Sequence, residues 1–276
     1  MKKMLYLVSL LALLLVGCQN GSDTSKDGVL RVGMECGYAP FNWTDPNKNE
    51  DNVKIDAGLI NAGYCDGYDV TMAKAIAEDL NLELKIKKIG WEGLITALQE
   101  NQIDAIIAGM SPTEERMQQI SFSNNYYSSE QVVIVRKNSE FATKTKLSDF
   151  SGATLVSQLG TLQDRLIKEA KDLGIIHGTA YDSYPEAITA LINDTKIDGV
   201  VAEYPVALSA TASNQSLTIV RFEVGEGFHV DDEEVLVSIG VRKNDTDLLN
   251  KINAALDKIS LETREEWMLQ AINRQP

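Results

Sequence analysis

Apolar runs and amphipathic stretches of helical period alternate along most of the chain. The runs predict strands at 30–34, 82–89, 103–108, 131–135, 153–158, 197–202 and 235–241. The amphipathic stretches predict helices at 68–80, 92–100, around Arg116, at 162–173 and 184–193, from Pro205 onward, and at 247–259 and 262–272. Strands that alternate with helices indicate α/β units built on parallel sheets. The series restarts after residue 150, so we expect two α/β lobes, although no sequence repeat is evident.

The N-terminal segment has the features of an export signal. Two lysines precede an apolar stretch at 4–16 that is short for a membrane span. The sequence Leu-Val-Gly-Cys at 15–18 resembles a bacterial lipobox. This resemblance implies a signal peptide at 1–17, cleavage before Cys18 and diacylation of its thiol. An uncleaved anchor and an ordinary secretory signal are the alternatives. Polar residues 18–28 are expected to form a flexible tether.

Charge and cysteine content exclude several classes of protein. The net charge of −14 argues against binding to nucleic acid or to a polybasic-type membrane site. No later apolar run approaches a membrane span, so we expect an exported, soluble chain held at the membrane by its lipid alone. With Cys18 lipidated, Cys36 and Cys65 remain, and outside the cytoplasm they suggest a disulfide, two buried thiols being the alternative. The two histidines are far apart, and we expect no metal or cofactor.

The segment after the predicted strand 103–108 carries the strongest functional signal. Ser111 and Glu114 have the spacing of a capping box, and Pro112 suits the first position of a helix. The free N–H groups at such a helix start can hold an anion. Arg116, about one turn inside, offers a planar fork that matches a carboxylate. The segment therefore predicts a site for the carboxylate of a small molecule.

Other candidate residues follow other predicted strands. Ligands of open α/β sheets bind beyond the carboxyl ends of the strands. Thr113 and Thr161 lie at helix starts that suit a carboxylate, whereas Glu203 follows a buried strand and suits an ammonium group. Tyr38 and Trp91 could flank a side chain, with a place in the core as the alternative for the tryptophan. Together these groups outline a site for a free α-amino acid.

Seven segments in a fixed order carry a family resemblance over about residues 30–271. They are Arg-Val-Gly at 31–33, Tyr-Ala-Pro-Phe at 38–41, Gly-Tyr-Asp-Val at 67–70, Trp-Glu-Gly-Leu-Ile at 91–95, residues 109–116, Ile-Ser-Phe-Ser at 120–123, and residues 198–203. The chain resembles the polar amino-acid-binding proteins of ABC importers. That family includes histidine-, glutamine- and lysine/arginine/ornithine-binding proteins.

The resemblance implies a two-lobed, periplasmic-binding-protein-like fold of type II. Two Rossmann-like α/β lobes would be joined by two crossover strands, near 128–132 and 234–237, and would close on a ligand about this hinge. Lobe one would comprise residues 29–130 and 236–276, and lobe two residues 131–235.

The resemblance also implies ligand-binding roles. Arg116 would clamp the ligand carboxylate. Glu203 would bind the α-amino group, where relatives commonly carry aspartate, so the added methylene would shift the ammonium position. Glu35 falls where basic- and amide-binding relatives carry an aspartate that reaches the ligand side chain, an acid in a surface turn being the alternative. The other positions that match ligand contacts of the family are Tyr38, Trp91, Ser111, Thr113 and Thr161.

The resemblance implies a binding protein rather than an enzyme. We expect a monomeric, lipid-anchored receptor that captures a polar amino acid and delivers it to an ABC permease with its ATPase. Cationic and amide side chains are the candidates for the ligand. A sensor that acts through a partner is the first alternative. A dehydratase on the same fold is the second, and it would need a positioned general acid.

Overall fold

The computed structural model describes residues 27–58 and 62–275. The predicted signal peptide, the lipidation site at Cys18 and all of the tether except residues 27 and 28 lie outside the described residues. Within the described ranges, no helix combines the length and the apolar character needed to cross a membrane.

Strands and helices alternate along the described residues, as the hydrophobic pattern predicts. The strands are β1 (Val29–Met34), β2 (Gly37–Tyr38), β3 (Asn42–Asp45), β4 (Val53–Lys54), β5 (Tyr64–Asp66), β6 (Glu83–Lys88), β7 (Ala105–Ile106), β8 (Ile120–Ser128), β9 (Gln131–Arg136), β10 (Thr154–Val156), β11 (Ile176–His177), β12 (Gly199–Glu203), β13 (Leu217–Val220) and β14 (Leu236–Arg242). The α-helices are α1 (Tyr68–Asp79), α2 (Leu94–Gln99), α3 (Glu114–Gln119), α4 (Leu162–Glu169), α5 (Tyr184–Asn193), α6 (Tyr204–Ser213), α7 (Thr246–Leu256) and α8 (Leu261–Arg274). Short 3₁₀ helices cover Trp91–Gly93, Leu147–Phe150 and Ala170–Leu173.

The first lobe is built on a five-stranded sheet in the order β6-β1-β7-β14-β8. β1 runs parallel to β6 and β7, whereas β14 runs antiparallel to β7 and β8. β1 is an inner strand that is buried on both faces, with Leu30, Val32 and Met34 on one face and Val29 and Gly33 on the other. β7 is shorter than the apolar run 103–108 predicts, although Ile107 still donates to the carbonyl of Gly33 at 3.2 Å.

The second lobe is built on a sheet in the order β11-β10-β12-β9-β13. β10 runs parallel to β11 and β12, and β9 runs antiparallel to β12 and β13. Val133, Val135 and Val201 face a core that also contains Phe150 and Ile167. Both sheets thus place the carboxyl ends of their parallel strands at an open edge, where α/β proteins bind ligands.

Two adjacent segments connect the lobes. The chain leaves the first sheet at the end of β8 and enters the second at Gln131, the start of β9. It returns before β14, where Ser129 donates to the carbonyl of Val235 at 3.0 Å and Leu236 pairs with Ser128. Because the two connections are hydrogen-bonded side by side, rotation about them would move one lobe relative to the other.

A small sheet in the order β2-β3-β5-β4 lies beside the first lobe, where the sequence predicts a polar loop at 44–52. That prediction is wrong for Thr44 and Asp45, the last residues of β3, which pair with β5. The buried side chains of Trp43 and Cys65 supply the apolar contacts that hold so short a ladder. A disulfide joins Cys36 to Cys65 and ties this sheet to the turn that follows β1.

The starts of most helices follow from short-range sequence signals. Asp245 and Ser260 cap α7 and α8 by accepting backbone N–H groups at 3.3 and 3.1 Å. Pro185 and Pro205 occupy the first turn of α5 and α6. The predicted helix 162–173 is α4 followed by a 3₁₀ turn that ends at the left-handed Gly174.

Candidate functional site

A cleft between the lobes collects seven of the eight residues that the sequence predicts to contact a ligand. Lobe one contributes Glu35, Tyr38, Trp91, Gly109, Ser111 and Arg116, and lobe two contributes Gln158, Thr161, Leu162, Gln163, Tyr184 and Glu203. The eighth predicted residue, Thr113, lines an adjoining cavity of about 410 Å³ that shares Trp91, Arg116 and Thr161 with the cleft. The site therefore lies where the strand ends of the two sheets face each other.

The turn before α3 places Arg116 in the cleft, but its helix cap differs from the prediction. The expected capping box from Ser111 is wrong, because the N-cap is Thr113, whose hydroxyl accepts the backbone N–H of Arg116 at 3.4 Å. The helix begins at Glu114, so Ser111 and Pro112 both precede it. The carbonyl of Ser111 instead accepts a hydrogen bond from Arg116 Nη1 at 2.9 Å.

The guanidinium of Arg116 is buried beneath the closed lobes. Its residue is 8% exposed, its Nη2 donates to the carbonyl of Gly160 in lobe two at 3.1 Å, and it lies 4.9 Å from the centre of the Trp91 ring. Among the described residues, no carboxylate forms an ion pair with it. Burial lowers the pKa of Arg116 to about 10, although nearby acids raise it. A buried cation that is satisfied only by carbonyls is a strong attractor for a carboxylate.

Glu203 is the corresponding acid on lobe two. It ends β12, stands at the N-cap position of α6 and is 4% exposed. Tyr38 from lobe one donates its hydroxyl to Glu203 Oε2. Burial raises the pKa of Glu203 to about 8, and no cation of the described residues forms an ion pair with it. An ammonium group placed beside it would reverse that shift.

Glu35 provides a second acid at the cleft and contacts lobe two directly. Gln158 Nε2 donates to Glu35 Oε1 at 2.8 Å and to the carbonyl of Asp182 at 2.9 Å. Burial raises the pKa of Glu35 to about 7, while the hydrogen bond from Gln158 and the charge of Lys88 lower it. The sequence left two positions open for Glu35, the ligand pocket or a surface turn. In the structure Glu35 lines the pocket.

Trp91 and Thr161 lie on opposite sides of the cleft. Trp91 Nε1 donates to the carbonyl of Gly160 at 3.2 Å, so the tryptophan lines the site instead of filling the core. Thr161 caps α4 by accepting the N–H of Asp164 at 3.2 Å, and its hydroxyl donates to the carbonyl of Gln158 at 2.7 Å. The carbonyl of Gly160 thus accepts from both Arg116 and Trp91 across the lobes.

The lobes are close together in this structure. The cleft leaves a cavity of about 10 Å³, which is about the space of one water molecule. Its cross-lobe contacts are made by the same groups that would bind a ligand: Arg116 with Gly160, Tyr38 with Glu203, and Glu35 with Gln158. A ligand the size of an amino acid must therefore separate the lobes and replace these contacts.

Comparison with known proteins gives the chain a family. Residues 30–270 match the sequence model of the bacterial extracellular solute-binding proteins, family 3. The chain belongs to this family. This solute-binding protein is 30% identical over 254 residues to the arginine-binding extracellular protein ArtP of Bacillus subtilis. The aligned region covers 90% of this chain and 87% of ArtP. It is 32% identical over 239 residues to a probable histidine-binding protein of Campylobacter jejuni, covering 83% and 85% of the two chains.

A solved structure supports the same relationship. An amino acid ABC transporter substrate-binding protein from Streptococcus pneumoniae, bound to L-arginine, superposes with a TM-score of 0.75 and 26% identity over 90% of this chain and 95% of the other. The predicted family and the predicted two-lobed α/β fold of type II are confirmed. The ligand-binding roles of the individual residues stay predictions.

Sequence reasoning missed several residues of the cleft. Gln158, Leu162, Gln163 and Tyr184 line it, and none of them was predicted to do so. Gln158 ends a predicted strand three residues before Thr161, and its position at the strand end is the signal that could have identified it. For Tyr184, whose ring lies 4.9 Å from the Tyr38 ring across the lobes, no local signal was available.

Proposed function

We propose that this solute-binding protein captures a cationic amino acid, L-arginine above all, between its lobes and delivers it to an ABC permease. The observation that carries the proposal is the pair of buried, oppositely charged groups on opposite lobes, Arg116 and Glu203. Among the residues that the structure describes, neither forms an ion pair in the closed cleft, and a zwitterion supplies a counterion to each.

The geometry supports a specific pose. The ligand carboxylate takes the place of the Gly160 carbonyl at Arg116, since a charged acceptor binds a guanidinium more strongly than a neutral one. The α-ammonium group takes the place of the Tyr38 hydroxyl at Glu203. Because these contacts lie on different lobes, the ligand binds best to a state in which both lobes reach it. That state is wider than the closed cleft described above, and the ligand shifts the population toward it from a fully open one.

Glu35 supports a cationic side chain on the ligand. It lies in the same cleft as Glu203 and has no lysine or arginine within ion-pair distance among the residues that the structure describes, so a ligand cation would hold it ionised. Arginine is preferred over other cations because ArtP is named an arginine-binding protein and the superposed structure is arginine-bound. Gln158, which hydrogen-bonds Glu35, would contact the same end of the ligand.

The remaining features complete the proposal. The lipobox-like sequence at 15–18 supports an anchor at Cys18 that holds a monomeric receptor on the extracytoplasmic face of the cell membrane. An anchor raises the effective concentration of the receptor near its permease. We propose no catalytic role, since the named relatives are binding proteins.

A thermal-shift screen tests the binding proposal. Protein comprising residues 19–276, refolded to remove carried-over ligand, is melted with each proteinogenic amino acid. A ligand at a thousand times its dissociation constant should raise the free energy of unfolding by about 4 kcal/mol. We expect the largest shift with arginine.

The screen is repeated with Arg116→Ala and with Arg221→Ala. Arg221 is an exposed arginine whose partner is Glu130 and which lies outside the cleft, so it is the matched control. Loss of the shift in the first variant and its retention in the second are expected. No shift with any amino acid, or equal shifts in the two variants, would refute the proposal.

A further inference from the structure

A network of buried, hydrogen-bonded polar groups runs from the core of lobe one to the wall of the cleft. Asp69, in the first turn of α1, is fully buried and accepts the hydroxyl of Tyr126 at 2.6 Å and the amide of Asn42 at 2.8 Å. The Tyr126 hydroxyl in turn accepts the backbone N–H of Gly109 at 3.2 Å. A carboxyl group, a phenol and an amide therefore converge behind one residue of the cleft wall.

Asn42 directs its NH₂ group at the carboxyl of Asp69, and its own Oδ1 is buried without a partner among the described residues. Burial raises the pKa of Asp69 to about 6, while the hydrogen bonds from Tyr126 and Asn42 lower it. A buried polar group left unpaired is costly, so these hydrogen bonds hold Asp69, Tyr126 and Asn42 in one arrangement.

Gly109 is the residue at which this hydrogen-bond network reaches the ligand site. Its φ of +62° is left-handed, and a Cβ there would lie 2.9 Å from Cε1 of the Tyr38 ring. Two residues later the carbonyl of Ser111 receives Arg116 Nη1. The conformation at Gly109 thus sets both the seat of the Tyr38 ring and the course of the backbone that holds Arg116.

We propose that Asp69 and Tyr126 are positioning residues for ligand binding. They fix the turn at Gly109 and thereby place Tyr38 and Arg116 for the two ends of the ligand. Neither residue lines the cleft, so they act through Gly109 alone. This inference rests on the proposed function, because it concerns affinity for the amino acid.

The test compares two buried tyrosines of one cluster by calorimetric titration with L-arginine. Tyr126→Phe removes the hydroxyl that links Asp69 to Gly109. Tyr68→Phe is the matched control, since the Tyr68 ring lies 5.8 Å from that of Tyr126 and its hydroxyl donates to the Tyr126 carbonyl at 2.8 Å, with no bond to Gly109. Melting temperatures without ligand are measured for both, and titrations are run well below them.

We expect Tyr126→Phe to weaken arginine binding about tenfold, and Tyr68→Phe to change it less than twofold, although both lower the melting temperature. Asp69→Asn combined with Tyr126→Phe should weaken binding no more than the more affected single variant, since both changes break one hydrogen-bond network. Unchanged affinity in Tyr126→Phe, or equal weakening in Tyr126→Phe and Tyr68→Phe, would show that the hydrogen-bond network has only a structural role. Wild-type protein that binds no amino acid would overturn the proposed function as well.

Discussion

Binding of an amino acid should expel a proton from Glu203. With a pKa of about 8, the buried carboxyl is roughly one-tenth ionised at pH 7, yet only the ionised form pairs with an ammonium group. The apparent affinity at pH 7 is then about tenfold below the intrinsic value, which corresponds to about 1.4 kcal/mol. Binding that restores the charge releases about 0.9 proton from this residue. Glu35, with a pKa of about 7, adds about half a proton for a cationic ligand.

Calorimetry in two buffers of different ionisation enthalpy measures this release. The difference in observed enthalpy, divided by the difference in buffer ionisation enthalpy, should give about 1.4 protons at pH 7 for arginine. Glu203→Gln should reduce the value to about half a proton, and Glu35→Gln should leave about 0.9. Between pH 6 and 7 the Glu35→Gln variant should still gain about tenfold in affinity, because ionisation of Glu203 alone rises tenfold. Proton release near zero, with an affinity independent of pH from 6 to 8, would refute the reasoning.

Three further predictions concern stability and closure. In denaturant titrations, the ligand-free protein should lose stability as the pH rises from about 5 to 8. Both cleft acids have folded-state pKa values above the unfolded value, so deprotonation in this range favours the unfolded state. A flat profile would contradict this prediction. Cys36→Ser breaks a disulfide that spans 29 residues and should cost about 3 to 4 kcal/mol of unfolding free energy, whereas reducing agent should then have no further effect. Gly160→Ala should weaken arginine binding without abolishing it, since its Cβ would clash with Glu92 Oε1 across the closed cleft and that flexible side chain must move aside. Gly152→Ala, also left-handed but with no atom within 4 Å of a Cβ, should share the backbone cost and leave affinity unchanged in calorimetry.

The fold was largely predictable because its signals are local. Apolar runs marked the central strands of both sheets, and Asp, Ser, Thr and Pro residues marked most of the helix starts. The small sheet beside lobe one was missed because its strands β2 and β4 are two residues long and its polar residues read as a loop. Its stability comes from the burial of Trp43 and from a disulfide that joins distant positions, neither of which has a local pattern.

The site residues that could be predicted are those whose type and position in the sequence alone indicate a ligand contact. Arg116 and Glu203 stand out as charged groups after buried strands. The cap of α3 was misassigned because Ser111 and Thr113 are both acceptable cap residues, and their local sequence does not show which of them precedes the first turn. Gln158 was missed because its role depends on Glu35 in the other lobe, and such a contact is created by closure of the hinge.

The most direct test of the central claim is a calorimetric titration of refolded wild-type protein with L-arginine and with its decarboxylated analogue, agmatine. The two ligands share the guanidinium group and a primary amine, and only arginine carries the carboxylate assigned to Arg116. The account predicts one arginine bound per chain and agmatine weaker by at least about a hundredfold, since agmatine leaves a buried guanidinium without its anion. Equal affinity for the two, or no binding of arginine, would contradict the assignment of this cleft as a site for a free amino acid.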